Sequence, residues 1–157
     1  MPESEPIRLP APGLLALNRA HEVELSPLDA PRFAELVERA FFARAARDDT
    51  FLLPFDQDAD YDSPNFLWFR ERLDRFVYVD RIVVDPAARG GGLARVLYTE
   101  LFEAARAAGH DAVVAEVNSD PPNPGSDAFH AAMGFEAIGE ARLADRGKSV
   151  RYLRRTL

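Results

Sequence analysis

The chain has 157 residues, of which 47% are hydrophobic and 29% charged, as expected for one soluble globular domain. Its formal net charge of −7 disfavours phosphate backbones and anionic lipid, so nucleic acid and membranes are not expected as partners. With no cysteine there is no disulfide framework or thiolate site, and we expect no metal. The N-terminus lacks the apolar core of a secretory signal, which predicts a cytoplasmic protein.

The first half of the chain predicts fewer elements than the second. Residues 1–12 are rich in proline, and we expect a loose N-terminal arm there. The apolar run 13–18 predicts a short strand, and the helical spacing of apolar residues in 32–46 predicts an amphipathic helix. Residues 50–55 predict another strand, in which Pro54 suits only an edge or a strand end.

From residue 63 to residue 143, the predicted helices and strands alternate. Ser63 and Pro64 are typical of a helix start, and Leu93 begins a helical apolar pattern that Gly109 ends. The segment 75–85 is rich in Val, Ile and aromatic residues and is the strongest predicted strand. Further strands are predicted at 112–117, 135–143 and 149–157, and a short helix at 127–133. The order predicts one mixed α/β domain.

A glycine-rich loop joins the strongest strand to the helix that follows it. A strand, a glycine loop and a helix start together indicate an anion site, because the first helical N–H groups lack partners. A nucleoside-triphosphate loop is excluded, because Leu93 stands where lysine is required. A dinucleotide fingerprint can begin at Gly90 and Gly92, but its third position is Arg95 and the chain lacks room for six parallel strands. A simple flexible turn explains the glycines but not Arg89.

Two sequence blocks resemble one known family. The segment RGGGLA, residues 89–94, matches the R/Q-x-x-G-x-G/A signature of the GNAT superfamily of acyl-coenzyme A N-acyltransferases. Residues 116–140 resemble the later segment of that family, most closely in its ribosomal-protein acetyltransferase branch. The resemblance implies one GNAT-like α/β (α+β) domain over residues 1–157, with a cofactor-binding core at 76–140. It implies a mixed, mostly antiparallel sheet flanked by helices, with a splayed strand pair forming a coenzyme A cleft.

The same resemblance implies acetyl-CoA, or coenzyme A, as the cofactor. The backbone of the strand before the loop would pair with the pantetheine arm, and the loop N–H groups would hold the pyrophosphate. The asparagine at position 123 stands where family members contact the cofactor with an asparagine side chain. The cofactor-binding residues implied in this way are Ile82, Val83, Val84, Arg89, Gly90, Gly91, Gly92, Leu93, Ala94, Arg95, Asn123 and Ser126.

Acetylation of an amine requires a base, because an ammonium group has no lone pair for attack. Strand alternation places Glu116 and Val114 on one face of the strand 112–117, and this carboxylate is the expected general base. By resemblance, His130 stands where the family carries a tyrosine that protonates the departing thiolate. An imidazole is only partly protonated at neutral pH, so His130 is open to three roles: donating a proton, hydrogen-bonding the sulfur or packing.

The acceptor is expected to bind the divergent N-terminal half. Alternating aspartates next to aromatic residues would favour an amine, although a solvated acidic loop explains them equally well. The candidate substrate residues are Asn18, Asp56, Asp58, Asp60, Tyr61 and Trp68. We expect an N-acetyltransferase that acts on a small-molecule or peptide amine by direct attack in a ternary complex. The alternative is a non-catalytic acyl-CoA-binding module of the same fold, and a homodimer is left open.

Overall fold

The computed structural model describes residues 4–20, 28–46, 49–85 and 92–157. The strands are β1 Glu5–Pro6, β2 Arg44–Ala46, β3 Thr50–Asp56, β4 Phe76–Val84, β5 Ala112–Asp120, β6 Glu136–Leu143 and β7 Lys148–Thr156. The helices are α1 Pro12–Ala20, α2 Ala30–Arg39, α3 Pro64–Arg70, α4 Leu93–Ala107 and α5 Pro124–Ala132. The strands form one sheet in the order β1-β2-β3-β4-β5-β7-β6, in which β4 and β5 are parallel and the other pairs antiparallel. The predicted mixed, mostly antiparallel sheet flanked by helices is confirmed.

Two hydrophobic clusters pack on the sheet. One cluster joins residues of α1, α2 and α3 to strand residues such as Phe51 and Tyr78. The other joins α4 to residues that include Val113 and Val117, while Val114 belongs to the first cluster. The predicted alternation along β5 is therefore confirmed. Among the described residues, none of the helices is long and apolar enough to cross a membrane.

The elements of the second half lie close to where the sequence predicts them. α3 begins at Pro64 directly after Ser63, and β4 fills the predicted strand almost completely. α4 begins at Leu93, and Gly109 follows its end with a φ of +84°. That left-handed conformation favours glycine and ends the helix. Strong local signals thus fix the part of the chain that carries the motifs.

The strand predicted at residues 13–18 is wrong, because this segment lies inside α1. Leu14, Leu17 and Asn18 are spaced three and four residues apart and are all buried, so one helical face points into the core. A short apolar run does not distinguish a buried helix from a strand by periodicity alone.

The helix predicted at residues 32–46 is wrong in its second half. α2 ends at Arg39, and Ala40 already has an extended backbone with ψ of 148°. The Phe41 N–H then donates to the Pro54 carbonyl at 2.9 Å, which draws the chain onto the sheet. Pro54, predicted to suit only an edge or a strand end, lies within β3 at a register shift against β4 and beyond the residues of β3 that pair with β2. A bulge tolerates proline inside a sheet because a ladder hydrogen bond is already missing there.

The N-terminal segment contacts the sheet from Ser4 onward. Glu5 and Pro6 pair with Ala45 and Arg44 as the edge strand β1. The Ser4 hydroxyl donates to Glu100 of α4. Residues 4–6 are therefore attached to the domain.

Candidate active site

The parallel strands β4 and β5 separate part of the way along their length. Their ladder joins Phe76 to Ala112, Val77 to Val113 and Tyr78 to Val114, and it stops there. Both strands continue for six residues beyond the last pair, to Val84 and Asp120. The predicted splayed strand pair is confirmed, and it opens a cleft between the two strands.

This cleft has a volume of about 110 Å³. It contains five of the predicted site residues: Ile82, Glu116, Asn123, Ser126 and His130. Its other lining residues are Val79, Asp80, Arg81, Tyr98, Ala115, Val117, Asn118 and Lys148. A larger hollow of about 510 Å³, lined by residues 5–8, 10–14 and Ala45, contains none of the predicted site residues.

Glu116 is the most strongly perturbed acid of the cleft. Its Oε1 accepts hydrogen bonds from Asn65 Nδ2 and from the Tyr78 hydroxyl, both at 2.9 Å. Its Oε2 is buried and has no hydrogen-bond partner among the residues that the structure describes. Burial, followed by the negative charge of Asp80, raises the pKa of Glu116 to about 7, and the hydrogen bonds to Oε1 oppose that rise. A carboxylate of this kind changes its protonation state near neutral pH.

The donors that hold Glu116 are themselves held in place. The buried Tyr152 hydroxyl donates to Oδ1 of Asn65 at 2.9 Å, which leaves the Asn65 amide group to face the carboxylate. Trp68 stacks on Tyr152 with ring centroids 4.1 Å apart. A Cβ at Gly139 would lie 2.5 Å from the Trp68 ring, so only glycine lets β6 approach it. Trp68, predicted to bind substrate, therefore packs behind the cleft.

The other predicted substrate residues lie outside the lining of the cleft. Asn18 is fully buried and accepts from Arg81 Nη1 at 2.9 Å. Tyr61 donates to Asp80 at 2.5 Å, and the other Asp80 oxygen pairs with Arg81 Nε at 2.6 Å. These two residues thus connect to the cleft through Asp80 and Arg81. Asp56 is half-buried at the end of β3, whereas Asp58 and Asp60 are exposed.

His130 has a partner on each ring nitrogen. Nδ1 lies 2.8 Å from the Ser126 carbonyl oxygen, and Nε2 lies 2.7 Å from the Tyr98 hydroxyl. The side chain is buried, and burial lowers the pKa of the imidazole. Asn123 caps the same helix, since its side chain accepts from the Ser126 N–H at 3.3 Å.

The predicted pyrophosphate site is described only at its helical end. Gly92 precedes α4 with a φ of +80°, and a Cβ there would meet no atom of the described part of the chain within 4 Å. Leu93 is buried, whereas Ala94 is half-buried and Arg95 is exposed. The predicted residues Arg89, Gly90 and Gly91 lie outside the described residues.

The strand residues predicted to pair with the pantetheine arm divide between two environments. Ile82 lines the cleft, while Val83 is buried in the cluster on the side of α1 to α3. Val84 is half-buried and pairs with Thr50 of β3.

The geometry fits a coenzyme A thioester. Past Tyr78 and Val114 the facing edges of β4 and β5 no longer pair with each other, so an extended ligand arm can take their backbone hydrogen bonds. Gly92 leaves open space at the N-terminus of α4, where unpaired N–H groups favour an anion. In the described part of the chain, no group of three His, Asp or Glu residues could hold a metal ion.

Eight residues of the lining were not predicted, among them Asp80, Tyr98 and Lys148. Asp80 and Arg81 are adjacent charged residues inside a strand whose other residues are apolar or aromatic, and that interruption is a usable signal. Tyr98 follows the apolar periodicity of α4 and therefore resembles a core residue in the sequence. Lys148 is the only lysine of the chain and lies half-buried, and burial lowers the pKa of its amine although the negative charge of Glu116 opposes that shift.

A splayed strand pair beside a glycine-led helix is the architecture that the sequence resemblance to the GNAT superfamily predicts. The family model described as Acetyltransferase (GNAT) family matches residues 25–135, and the chain belongs to that family. No curated protein matches the sequence.

Solved structures agree with this fold. A ribosomal-protein-alanine N-acetyltransferase from Brucella melitensis is 22% identical, with a TM-score of 0.74 and coverage of 99% of each chain. Naa20 from Chaetomium thermophilum, solved with a bisubstrate analogue, is 17% identical, with a TM-score of 0.77 and coverage of 99% of this chain and 86% of that one. The yncA protein of Salmonella typhimurium, solved with acetyl-CoA, is 16% identical, with a TM-score of 0.72 and coverage of 100% and 94%.

Proposed function

We propose that this protein is an N-acetyltransferase that moves the acetyl group of acetyl-CoA directly to a primary amine of a peptide or small molecule. The main support for this proposal is the position and the pKa of Glu116, which lies in the cleft and has its pKa raised to about 7. A general base works best when its pKa lies near the working pH. One oxygen is fixed by two donors and the other has no hydrogen-bond partner, so the second can take up a proton.

The chemistry assigned to this chain is the removal of a proton and the orientation of two reactants. Glu116 accepts a proton from the acceptor ammonium, which frees the nitrogen lone pair. The freed amine would then bond to the acyl carbon of the thioester, the carbon–sulfur bond would break with its electron pair staying on sulfur, and nitrogen would release its second proton to solvent. When bound, acetyl-CoA supplies the acyl group as an activated thioester.

The proposed cofactor residues are those of the cleft and of the N-terminus of α4. The backbone of residues 82–84 would hold the pantetheine arm, and the N–H groups of residues 89–95 the pyrophosphate. Asn123 and Ser126 line the cleft beside them. This arrangement is supported by the separation of β4 from β5 and by the open space at Gly92.

A peptide α-amine is the first acceptor to test. The structural neighbours include a ribosomal-protein-alanine N-acetyltransferase and Naa20 solved with a bisubstrate analogue. We propose that the negative carboxylates of Asp56, Asp58 and Asp60 attract the cationic acceptor. The net negative charge of the whole chain acts in the same direction. A cytoplasmic setting belongs to the same proposal, and a homodimer is left open.

The experiment is an amine panel assayed by release of free thiol, with the acetylated products identified by mass. Glu116→Gln should keep acetyl-CoA affinity and lower kcat/KM by roughly 100-fold, the usual contribution of a general base. Glu140→Gln is the matched control, because it makes the same change at an exposed position of β6. Acetyl-CoA binding without turnover on any amine would favour the non-catalytic binding module. Wild-type rates in Glu116→Gln across the pH range would refute the base assignment.

A further inference from the structure

Tyr98 and His130 form a hydrogen-bonded pair in the wall of the cleft that contains Glu116. The Tyr98 hydroxyl lies 2.7 Å from Nε2 of His130, and the two side chains are 0% and 3% exposed. The rings of Phe129 and Phe135 pack against both of them. The Tyr98 hydroxyl of α4 therefore lies against Nε2 of His130 in α5, in the wall of the proposed thioester site.

The partners of the His130 ring fix its tautomer. A carbonyl oxygen can only accept, so the 2.8 Å contact with the Ser126 carbonyl requires a hydrogen on Nδ1. Burial lowers the pKa of His130, although the Ser126 carbonyl and Asp127 oppose this, so the ring is neutral at neutral pH. Nε2 then carries a lone pair and accepts from Tyr98. Because its single N–H hydrogen, on Nδ1, is donated to the Ser126 carbonyl oxygen, the neutral imidazole has no N–H left to donate to a sulfur atom.

We infer that the Tyr98 hydroxyl, rather than the His130 imidazole, contacts the sulfur that leaves during acyl transfer, and that His130 is the positioning residue for this hydroxyl. The inference rests on the proposed function. When the carbon–sulfur bond breaks, the electron pair stays on sulfur, and the Tyr98 O–H turns from Nε2 to donate to that thiolate. A neutral His130 accepts from Tyr98 and a protonated one donates to it, so both forms hold the phenol.

The surroundings keep Tyr98 in the form of a donor. Burial, and next the negative charge of Glu116, raise the pKa of the phenol far above neutrality. The charged groups that act on the pair are Glu116 from β5 and Asp127 from α5. Asp127 is itself paired with Arg151 of β7 at 2.9 Å, which weakens its effect on the imidazole. Tyr98 is therefore expected to stabilise the thiolate by a hydrogen bond and to keep its own proton.

The test compares the binding of coenzyme A and of desulfo-coenzyme A, which lacks the sulfur, by calorimetry from about pH 6 to about pH 9. The affinity ratio is the affinity for coenzyme A divided by the affinity for desulfo-coenzyme A. If the protein lowers the pKa of the bound thiol, this ratio rises with pH in the wild type. Tyr98→Phe should cut that ratio about tenfold at high pH, which corresponds to about one pKa unit of the bound thiol. His130→Gln keeps an acceptor for the phenol and should retain most of the ratio, whereas His130→Leu should lose it. Thr50→Val, at a buried position outside the cleft lining, is the control for removing a buried hydroxyl.

The outcomes separate this inference from the proposed function. Unchanged affinity for desulfo-coenzyme A in each variant shows that the cleft is intact. If Tyr98→Phe has the same affinity ratio as the wild type, the assignment of Tyr98 is overturned. A ratio of one at every pH in the wild-type protein overturns it as well. In both cases cofactor binding still supports the proposed function. Loss in both His130 variants with a normal Tyr98→Phe would give the sulfur contact to His130. A wild-type protein that binds neither compound would refute the proposed function and this assignment with it.

Discussion

Replacing Tyr78 with phenylalanine removes one of the hydrogen bonds that hold the Glu116 carboxylate and keeps the buried ring. The Tyr78 hydroxyl donates to Oε1 at 2.9 Å. A hydrogen bond to a charged group is worth about 1.5–3 kcal/mol, and one pKa unit corresponds to about 1.4 kcal/mol. The pKa of Glu116, about 7 in the native protein, should therefore rise by about one to two units. Asn65 continues to donate to Oε1, which favours the lower end of that range.

The measurement is kcat/KM from thiol release between about pH 5.5 and about pH 9.5, expressed as the ratio of variant to wild type. The ratio cancels the ionisation of the acceptor amine, so it reports the change in Glu116. We expect a ratio well below one at the acidic end that returns towards one at high pH. Tyr152→Phe is the matched control, because its hydroxyl reaches the carboxylate only through Asn65 and should shift the profile less. A ratio independent of pH, or an equal shift in the control, would refute the argument.

Two further predictions concern stability and cofactor binding. The carboxyl of Glu116 has a pKa of about 7 in the folded protein and 4.5 in the unfolded chain. The unfolded state therefore releases its proton first, and the free energy of unfolding falls as pH rises between these values, by on the order of 3 kcal/mol. Glu116→Gln should thus melt several degrees above the wild type at about pH 8 and at nearly the same temperature at about pH 4.5, and equal differences at both would contradict this. Gly92→Asp should abolish acetyl-CoA binding measured by calorimetry, because a charged side chain would repel the pyrophosphate. Gly147→Asp, also at positive φ with open space around it, controls for backbone strain and should keep binding.

The sequence predicts the elements that carry their own local signals. The start of α3 after Ser63, the strand β4 and the end of α4 near Gly109 all follow from capping, proline and glycine rules. The segment at residues 13–18 lacks such a signal, since four or five apolar residues suit a buried helix and a strand alike. Its identity depends on packing against residues far away in the chain.

The cleft is predicted less completely than the fold, for the same physical reason. Alternation along β5 places Glu116 opposite the α4 side of the strand, and the structure agrees. The amide that holds its carboxylate comes from Asn65, 51 residues away, and no local pattern links the two. Likewise Tyr98 and His130 are 32 residues apart on different helices. Such pairs exist only once the sheet and helices are assembled.

The half-buried amine of Lys148 at the cleft bears on how this protein can be probed. The sequence has one lysine, and its other basic side chains that stay charged are arginines, so the chain offers one side-chain amine to amine-directed reagents. Guanidinium groups stay protonated and do not compete. Stoichiometric labelling followed by intact-mass measurement would then report access to one known point of the cleft, once the terminal amine is blocked. With the terminal amine blocked, an acetyl group counted on the protein itself can likewise be assigned to Lys148 without a mapping step.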